Sequence, residues 1–253
     1  MDKIVYTSLN KTNIKYKIKR LFWKIGYDIS RFSPEHHYLA RRKKLLESYE
    51  IDIVLDVGAN IGQYAKQMRN DVRFSGKIVS FEPLSAAFKL LETSASGDSK
   101  WEVMHCALGD KEVQQEINIS KGTNSTASSF LNMLPSFLYV APDAKYIGGE
   151  VTTIKTLDSI FDSICKKENN IYLKIDTQGF EEKVIQGAEE SLKHIDTVQL
   201  EMSLIPLYQN ELLINEMYSL LNEKGYSLVS IEPGFHDKNT GELLQVDGVF
   251  HRL

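Results

Sequence analysis

Short apolar runs alternate with helical stretches over most of the chain, and this alternation restricts the fold more than any other feature of the sequence. Strands separated by helices are typical of βαβ units, in which helices cover a mainly parallel sheet. The apolar runs predict strands at residues 51–57, 77–82, 101–107, 171–176, 197–202, 226–231 and 246–251. The stretches between them predict helices at about 62–70, 84–95, 158–167, 179–194 and 212–224. We therefore expect an α/β fold built on seven strands.

The stretch VLDVGANIGQ, residues 54–63, ends the first apolar run with an aspartate and two glycines. Gly58 and Gly62 lie where the chain must turn sharply from a strand into a helix, and a glycine leaves room for another group beside the backbone. We expect a close approach at this turn. Because the turn matches neither a Walker phosphate loop nor the GxGxxG dinucleotide fingerprint, phosphate binding is disfavoured.

Polar residues and glycines follow five predicted strands at their carboxyl ends, where ligands bind in open parallel sheets. These groups are Asp56 to Gly62, Glu82 with Pro83, Cys106 to Asp110, Asp176 to Gly179, and Glu201. For a nucleoside ligand with a charged tail, Glu82 would accept hydrogen bonds from two ribose hydroxyls. Asp56 would orient nearby backbone or hold the ammonium group of the tail through water. Ala107 and Leu108 would flank a purine. In the structural alternative, Asp56 is a turn residue, Glu82 caps a helix and Asp176 is a paired carboxylate.

Residues 112–157 break the alternation. VQQEINIS and VTTIKTL predict strands, and a long connection rich in hydroxyl residues from Ser120 to Ser129 lies between them. Long connections in a compact domain are usually functional or disordered. We interpret residues 120–150 as a lid over the cofactor and substrate, with disorder as the alternative.

Residues 1–50 are basic, with 12 Lys and Arg against 5 Asp and Glu, whereas the remainder carries 18 against 29. Five apolar residues recur at helical spacing among lysines, namely Ile14, Ile18, Leu21, Phe22 and Ile25. The preferred interpretation is a basic helical extension, residues 1–45, that packs on a domain at 46–253. Contact of residues 11–25 with a membrane surface, a lipid-linked substrate or an acidic partner is the alternative. Nucleic-acid binding is not expected, because the segment matches no recognisable module.

The two cysteines, Cys106 and Cys165, form neither a disulfide framework nor a CxxC pair, which favours a reducing, cytoplasmic location. No apolar stretch approaches the roughly 20 residues needed to span a bilayer. His105 lies inside the third predicted strand and is expected to be packed. The acids show no clustered pair at ligand spacing, so we expect no metal. An oxygen site for magnesium, formed by Asp176, Glu201 and a substrate diol, is the alternative.

Five blocks of sequence carry a resemblance to a known family: VLDVGANIGQYA, FEPLSAAFKLLE, CALGD, LKIDTQGFEEKVIQGA and VQLEMSLIPLY. In this order and at these spacings, they resemble the FkbM-type family of S-adenosylmethionine-dependent methyltransferases over residues 45–250. The resemblance implies the class I methyltransferase fold, a Rossmann-like fold whose seven-stranded, mainly parallel sheet has an antiparallel last strand. It also implies S-adenosylmethionine as the cofactor, bound across the ends of the first strands.

The resemblance further implies which residues hold the cofactor. The set is Asp56, Gly58, Ala59, Asn60, Gly62, Glu82, Pro83, Cys106, Ala107, Leu108, Ser125 and Asp176. In this assignment the loop after the first strand surrounds the methionine portion, Glu82 binds the ribose and residues 106–108 contact the adenine. Where many family members read Asp-Val-Glu-Gly, this chain has Gln178 in place of the acid, which makes Asp176 the stronger catalytic candidate.

We expect methyl transfer onto a hydroxyl of a sugar, polysaccharide or polyketide-like natural product, acceptors associated with the resembled family. Asp176 is expected to be the base or to orient the acceptor, with Glu201 and Lys174 as weaker candidates. Because alternate residues of a strand share a face, Lys174 and Asp176 point the same way, and an ion pair with Asp176 or Glu201 is the structural alternative for Lys174. N-methylation of an amino sugar or peptide and a non-catalytic nucleoside-binding adaptor are the functional alternatives. A homodimer is also considered.

Overall fold

A computed structural model describes residues 4–121 and 123–252, with the backbone alone for residues 4–13 and 123. Residues 1–3 of the predicted extension, Gly122 of the predicted lid and Leu253 lie outside the described residues. The chain forms two compact units, which divide between Lys44 and Leu45. The predicted domain boundary lies one residue further along.

The elements follow the alternation that the sequence predicts. The helices are α1 (Ile4–Trp23), α2 (Tyr38–Ser48), α3 (Gln63–Gln67), α4 (Ser85–Ala95), α5 (Pro135–Val140), α6 (Leu157–Ile164), α7 (Glu181–Gln186) and α8 (Ile214–Glu223). The strands are β1 (Ile53–Val57), β2 (Lys77–Phe81), β3 (Trp101–Met104), β4 (Ala107–Leu108), β5 (Val113–Ser120), β6 (Tyr146–Lys155), β7 (Ile171–Ile175), β8 (Thr197–Ser203), β9 (Tyr226–Pro233) and β10 (Gln245–Arg252).

Seven strands form the main sheet in the order β3-β2-β1-β7-β8-β10-β9. The first five in this order are parallel, and β10 lies antiparallel between β8 and β9. This confirms the predicted fold class, a mainly parallel seven-stranded sheet whose last strand is antiparallel. The winding direction reverses between β1 and β7, which is where ligands bind in such sheets. The register places Asp56 opposite Ser80 of β2 and Lys174 of β7.

The two central strands are buried along their whole length. All five residues of β1 and all five of β7 are buried, because both faces of a parallel sheet are covered by helices. The apolar side chains of α6 and α7 belong to the same core, and examples are Leu157 and Val184. This buried centre holds the carboxyl ends of β1 and β7 in place.

A second sheet of three strands accounts for the break in the alternation. Its order is β4-β6-β5, with β5 antiparallel and β4 parallel to β6. Both strands predicted in this region are found, but β6 begins at Tyr146 rather than at residue 151. The predicted strand 101–107 is divided, because Cys106 donates its N–H to the Met104 carbonyl in a tight turn. The short strand β4 after this turn pairs with β6 instead of the main sheet.

The predicted helix 179–194 is much shorter in the structure. It ends at Gln186, and a Cβ added at the next residue, Gly187, would lie 1.8 Å from the Gly109 carbonyl oxygen. The Asp158 carboxylate then accepts the N–H groups of Glu190 (3.1 Å) and Ser191 (2.7 Å). These bonds begin a separate 3₁₀ turn instead of a longer helix.

In the N-terminal unit, α1 carries the apolar side chains of the predicted amphipathic helix. Ile14, Ile18 and Leu21 are 59%, 49% and 64% exposed. Packing of the extension on the domain stays a prediction. The turn after α1 is closed by Asp28, which accepts a hydrogen bond from the Trp23 indole (2.6 Å) and pairs with Lys19 (3.1 Å). Over the described part of the chain, no helix combines the length and apolar character that membrane crossing requires.

Candidate active site

The loop between β1 and α3 lies where the strand order reverses. Gly58 and Gly62 have φ values of +76° and +86°. A Cβ added at Gly58 would lie 1.9 Å from the Asp176 carbonyl oxygen, and one at Gly62 would lie 2.8 Å from the Trp101 ring. The close approach predicted at these glycines is therefore made by the protein itself. Gly58 allows the ends of β1 and β7 to come together.

Asp56 is fully buried at the end of β1. One carboxylate oxygen accepts a hydrogen bond from Ser80 Oγ (3.1 Å), which itself accepts one from the Trp101 indole (3.0 Å). The other oxygen lies 3.2 Å from Lys174 Nζ. The Asp56 carboxylate therefore lies inside the protein, where it anchors Lys174. Its contact with a ligand through water stays a prediction.

Glu82 is buried immediately after β2. Its two carboxylate oxygens accept the backbone N–H groups of Asn60 (2.7 Å) and Leu84 (2.8 Å). Burial raises the pKa of Glu82 to about 7. The bond to Leu84, which precedes α4, is the capping role that the structural alternative expects. Each carboxylate oxygen has a second lone pair, so Glu82 retains acceptor capacity for a pair of hydroxyl groups.

The side chains predicted to surround adenine pack inside the protein. Cys106 and Leu108 belong to the main core, and Ala107 packs with Ile154 and Phe180. Burial raises the pKa of the Cys106 thiol to about 11. These side chains therefore contribute to core packing, a role that the sequence does not predict for them.

His105 is exposed, whereas the sequence predicts a packed residue. Its imidazole stacks on Phe88 with ring centroids 4.5 Å apart, and its Nε2 lies 3.1 Å from the Pro83 carbonyl oxygen. Thr152 Oγ1 donates to the same carbonyl (3.2 Å). The prediction is wrong because β3 ends at Met104, so that His105 lies in the turn after the strand.

The ends of β7 and β8 bring the three catalytic candidates together. Lys174 Nζ lies 3.4 Å from Asp176 Oδ2, and the side-chain amide of Gln178 donates to Asp176 Oδ1 (2.9 Å) and to Glu201 Oε2 (2.9 Å). The ion pair expected as the alternative for Lys174 is present, with Asp56 as its second partner. Gln178 thus connects two carboxylates that would otherwise repel each other.

Burial and charge act in opposite directions on these groups. Burial lowers the pKa of Lys174, but Asp176 and Asp56 outweigh it and hold that pKa above its usual value. Burial, followed by the charge of Asp176, raises the pKa of Glu201 well above its usual value. In the ion-paired group, 38% of the Asp176 side chain is exposed, against 6% for Lys174 and none for Asp56. Asp176 is therefore the member of this group that a substrate can reach.

Two residues that the sequence analysis leaves without a role hold the loop after β7. The Tyr208 hydroxyl donates to Gln178 Oε1 (2.8 Å), and the buried Glu181 carboxylate accepts the N–H groups of Thr177 (2.8 Å) and Gly179 (3.3 Å). An acid in the first turn of a predicted helix is a signal that could have identified Glu181. Nothing in the sequence connects Tyr208 with this loop.

The predicted lid is folded in the described residues and contacts both loops. The Asn124 carbonyl accepts a hydrogen bond from Asn60 Nδ2 (2.7 Å), and Ser129 Oγ donates to the Gln178 carbonyl (2.7 Å). Ser125, a predicted cofactor residue, has a φ of +54° and lies in the turn between these contacts. The described residues of the segment include the helix α5, and the action of the segment as a lid stays a prediction. Among the described residues, no cluster of three or more His, Cys, Asp and Glu side chains is arranged to hold a metal ion.

A family model described as the methyltransferase FkbM domain matches residues 56–228. The matched range begins at Asp56 and includes the polar groups at the ends of β1, β2, β7 and β8. None of the curated proteins compared with the sequence matches it.

Solved structures with a similar fold include three proteins of low sequence identity. The methyltransferase FkbM from Methylobacillus flagellatus KT is 12% identical, with a TM-score of 0.44 over 79% of this chain and 44% of that chain. An rRNA methylase from Streptococcus thermophilus is 8% identical, with a TM-score of 0.47 over 90% and 99% of the two chains. TehB from Haemophilus influenzae is 8% identical, with a TM-score of 0.45 over 83% and 60%. This chain therefore spans less than half the length of the Methylobacillus protein.

Proposed function

Since the chain belongs to the FkbM methyltransferase family, we propose that it is an S-adenosylmethionine-dependent methyltransferase that methylates a hydroxyl of a sugar, polysaccharide or polyketide-like natural product. The observation that carries this proposal is the position of Asp176. Its carboxylate is partly exposed at the switch point of the sheet and is held there by Lys174 and Gln178. An acceptor hydroxyl needs such a group to orient it and to take its proton.

The residues on the β1–β2 side fit the proposed cofactor. S-adenosylmethionine supplies an activated methyl group, which is transferred by in-line displacement. Glu82 offers carboxylate oxygens that are already fixed by two backbone N–H groups, as a ribose diol requires. Gly58, Asn60 and Gly62 all have positive φ, so the loop after β1 turns tightly beside this carboxylate. These features support a nucleoside site.

The roles proposed for these residues follow from the magnitudes of two contributions to the rate, namely alignment of the reacting groups and general-base catalysis. Alignment of the reacting groups can lower a barrier by about 7–11 kcal/mol, and a general base contributes about 10²- to 10⁴-fold in rate. Lys174 and Gln178 restrict the Asp176 carboxylate from two sides, which favours alignment of an acceptor hydroxyl. Glu201, with its raised pKa and its bond from Gln178, positions this group and is the weaker candidate for the base.

The cofactor assignment is tested by titration calorimetry with S-adenosylhomocysteine. We expect saturable binding that is weakened at least tenfold, or about 1.4 kcal/mol, by Glu82→Ala. Glu92→Ala, at an exposed position of α4, is the matched control and should leave the affinity unchanged. A folded protein that binds no S-adenosylhomocysteine would contradict the methyltransferase proposal and favour a non-catalytic adaptor.

The acceptor assignment is tested by methyl transfer to panels of sugar hydroxyl and amino sugar acceptors. On a hydroxyl acceptor, Asp176→Asn should lower the rate by about 10²- to 10⁴-fold. Asp162→Asn, at an exposed position of α6, is the control. If amines are methylated instead, at a rate that Asp176→Asn leaves nearly unchanged, the N-methyltransferase alternative is favoured. An amine nucleophile needs less help from a base than a hydroxyl does.

A further inference from the structure

The α1 helix carries an exposed apolar stripe that the methyltransferase proposal does not use. Ile14, Ile18 and Leu21 are each about half exposed or more, and Phe22 is partly exposed beside them. At about 100° per residue, these four side chains lie within an arc of roughly 100°. The opposite side of the helix carries Tyr16 and Trp23, whose rings contact each other with centroids 6.4 Å apart. The aliphatic stripe is therefore continuous along one face, and the exposed aromatic side chains lie on the other.

Basic side chains border the stripe on both sides. At the same helical spacing, Lys15 and Lys19 follow one edge, and Lys17, Arg20 and Lys24 follow the other. No Asp or Glu occurs from residue 14 to residue 27.

The first acid after the helix is neutralised within the same unit. Asp28 is paired with Lys19 (3.1 Å) and accepts the Trp23 indole N–H (2.6 Å). The hydrogen bond from Trp23, followed by that from Lys19, lowers the pKa of Asp28. The helix therefore presents apolar side chains between two rows of cations.

We propose that residues 14–25 bind the surface of an anionic lipid bilayer, with the apolar stripe at the boundary of the acyl chains and the cations among the headgroups. Long lysine and arginine side chains can extend from a shallow helix to anionic headgroups while their stems cover apolar surface. Each cation close to such a surface strengthens binding by about fivefold. A second copy of the helix fits this face less well, because pairing two stripes would bring two sets of cations together. The inference does not depend on the proposed methyl transfer.

The test is co-sedimentation of the full-length protein with phosphatidylcholine vesicles, with and without phosphatidylglycerol. We expect binding to the anionic vesicles at low ionic strength and its loss at about 1 M salt, where the Debye length is only about 3 Å. Leu21→Asp, on the stripe, should weaken binding about fiftyfold. The substitution removes an apolar side chain that the bilayer buries on binding, and it adds a negative charge. Tyr16→Asp makes the same charge change on the opposite side and should weaken binding no more than about fivefold.

Three outcomes would overturn the proposal: no binding to anionic vesicles, equal losses in the two variants, or binding that phosphatidylglycerol does not improve. Light scattering without lipid provides a further test. A dimer that Leu21→Asp dissociates would assign the stripe to a second copy instead. Titration of each variant with S-adenosylhomocysteine shows separately whether the domain is folded and whether the proposed function holds.

Discussion

Glu82, in the β1–β2 half of the site, is held in a different way from Asp176 and Glu201, in the β7–β8 half. In the β1–β2 half, Glu82 is bound by the backbone N–H groups of Asn60 and Leu84. The loop itself is bound through the N–H groups of Gly58 and Ala59, which both donate to the Phe81 carbonyl. Apart from Asp56, which is held by Ser80 and Lys174, this half is therefore determined by the path of the backbone.

In the β7–β8 half, Asp176 and Glu201 are held by other side chains, whereas Glu181 accepts the backbone N–H groups of Thr177 and Gly179. Asp176 is bound by Lys174 and by the amide of Gln178. Glu201 accepts hydrogen bonds from Gln178 and Gln245, both at 2.9 Å. This half is determined by matched charges and amide donors, so that each residue depends on the identity of its neighbours.

This difference predicts which substitutions each half can tolerate. A half built on backbone bonds should respond to changes of shape, whereas a half built on side-chain bonds should respond to changes of charge. Lys174 connects the two, because its ammonium contacts both Asp56 and Asp176.

Lys174→Met should remove the connection between the halves. The fully buried Asp56 would lose its cationic partner, and the loss of one member of a buried ion pair costs about 3–5 kcal/mol. The free energy of unfolding, measured in urea, should fall by that amount. Lys183→Met is the control, since its pair with Asp110 is partly exposed and should be worth less than about 1 kcal/mol. Equal losses in the two variants would contradict a buried charge connection.

Gly58→Ala should damage the backbone-determined half through shape alone. The added Cβ would lie 1.9 Å from the Asp176 carbonyl oxygen, and the residue would have to keep a φ of +76°. Overpacking and backbone strain together predict a loss of about 3 kcal/mol in the free energy of unfolding. Gly97→Ala, which adds a Cβ with no atom within 4 Å, should change it by no more than about 0.5 kcal/mol. A tolerated alanine at position 58 would show that this loop can move away from β7.

Gln178→Glu should damage the side-chain-determined half through charge with almost no change of shape. The amide that donates to Asp176 and Glu201 would become a third carboxyl group between them. We expect a loss of about 1–3 kcal/mol in the free energy of unfolding at pH 8. A carboxyl group whose folded pKa is raised by like charges costs nothing below its unfolded pKa of about 4, and its cost grows as the pH rises.

The matched control for this charge effect is Gln186→Glu. Gln186 is exposed on α7, so the same substitution there should change the free energy of unfolding by no more than about 0.5 kcal/mol. A Gln178→Glu variant as stable at pH 8 as at pH 5, relative to the unmodified protein, would show that the carboxylates do not interact strongly.

The backbone-determined half could be predicted from the sequence because its signals are local. The apolar run, Asp56 and the glycines lie within ten residues, and Glu82 directly follows the next strand. The alternation of apolar runs and helical stretches also predicts where the strands end. It therefore predicts that Asp176 and Glu201 lie close together. What could not be predicted depends on partners far along the chain.

Two examples show this dependence. The Tyr208 hydroxyl donates to Gln178, which lies 30 residues earlier in the chain. Nothing in the sequence near either residue predicts this hydrogen bond. Ala107 pairs with Ile154 in the second sheet and packs against it, and nothing in the sequence around residue 106 predicts this pairing. Periodicity identifies strands and their ends, but it does not identify which strand pairs with which.

The smallest expected effect is a pH dependence of cofactor affinity that belongs to the backbone-determined half. Burial raises the pKa of Glu82 to about 7, and a ribose diol donates its hydrogen bonds best to the ionised carboxylate. The ionised fraction rises from roughly a tenth at pH 6 to nine-tenths at pH 8, so affinity for S-adenosylhomocysteine should increase by up to about tenfold. Stability of the free protein should change the opposite way, because a raised carboxyl pKa destabilises the fold as the pH rises from about 4.5 through 7.

Glu82→Gln separates this effect from that of Glu181, whose pKa burial also raises to about 7. Glu181 binds Thr177 and Gly179 in the β7–β8 half. The Glu82→Gln variant therefore keeps the contribution of Glu181 to the pH dependence of stability. Titration calorimetry at pH 6, 7 and 8 should show a flat affinity for the variant, at or below the value of the unmodified protein at pH 6. If the variant instead keeps the full increase, the pH dependence arises in the β7–β8 half, and Glu82 does not bind the diol as a carboxylate.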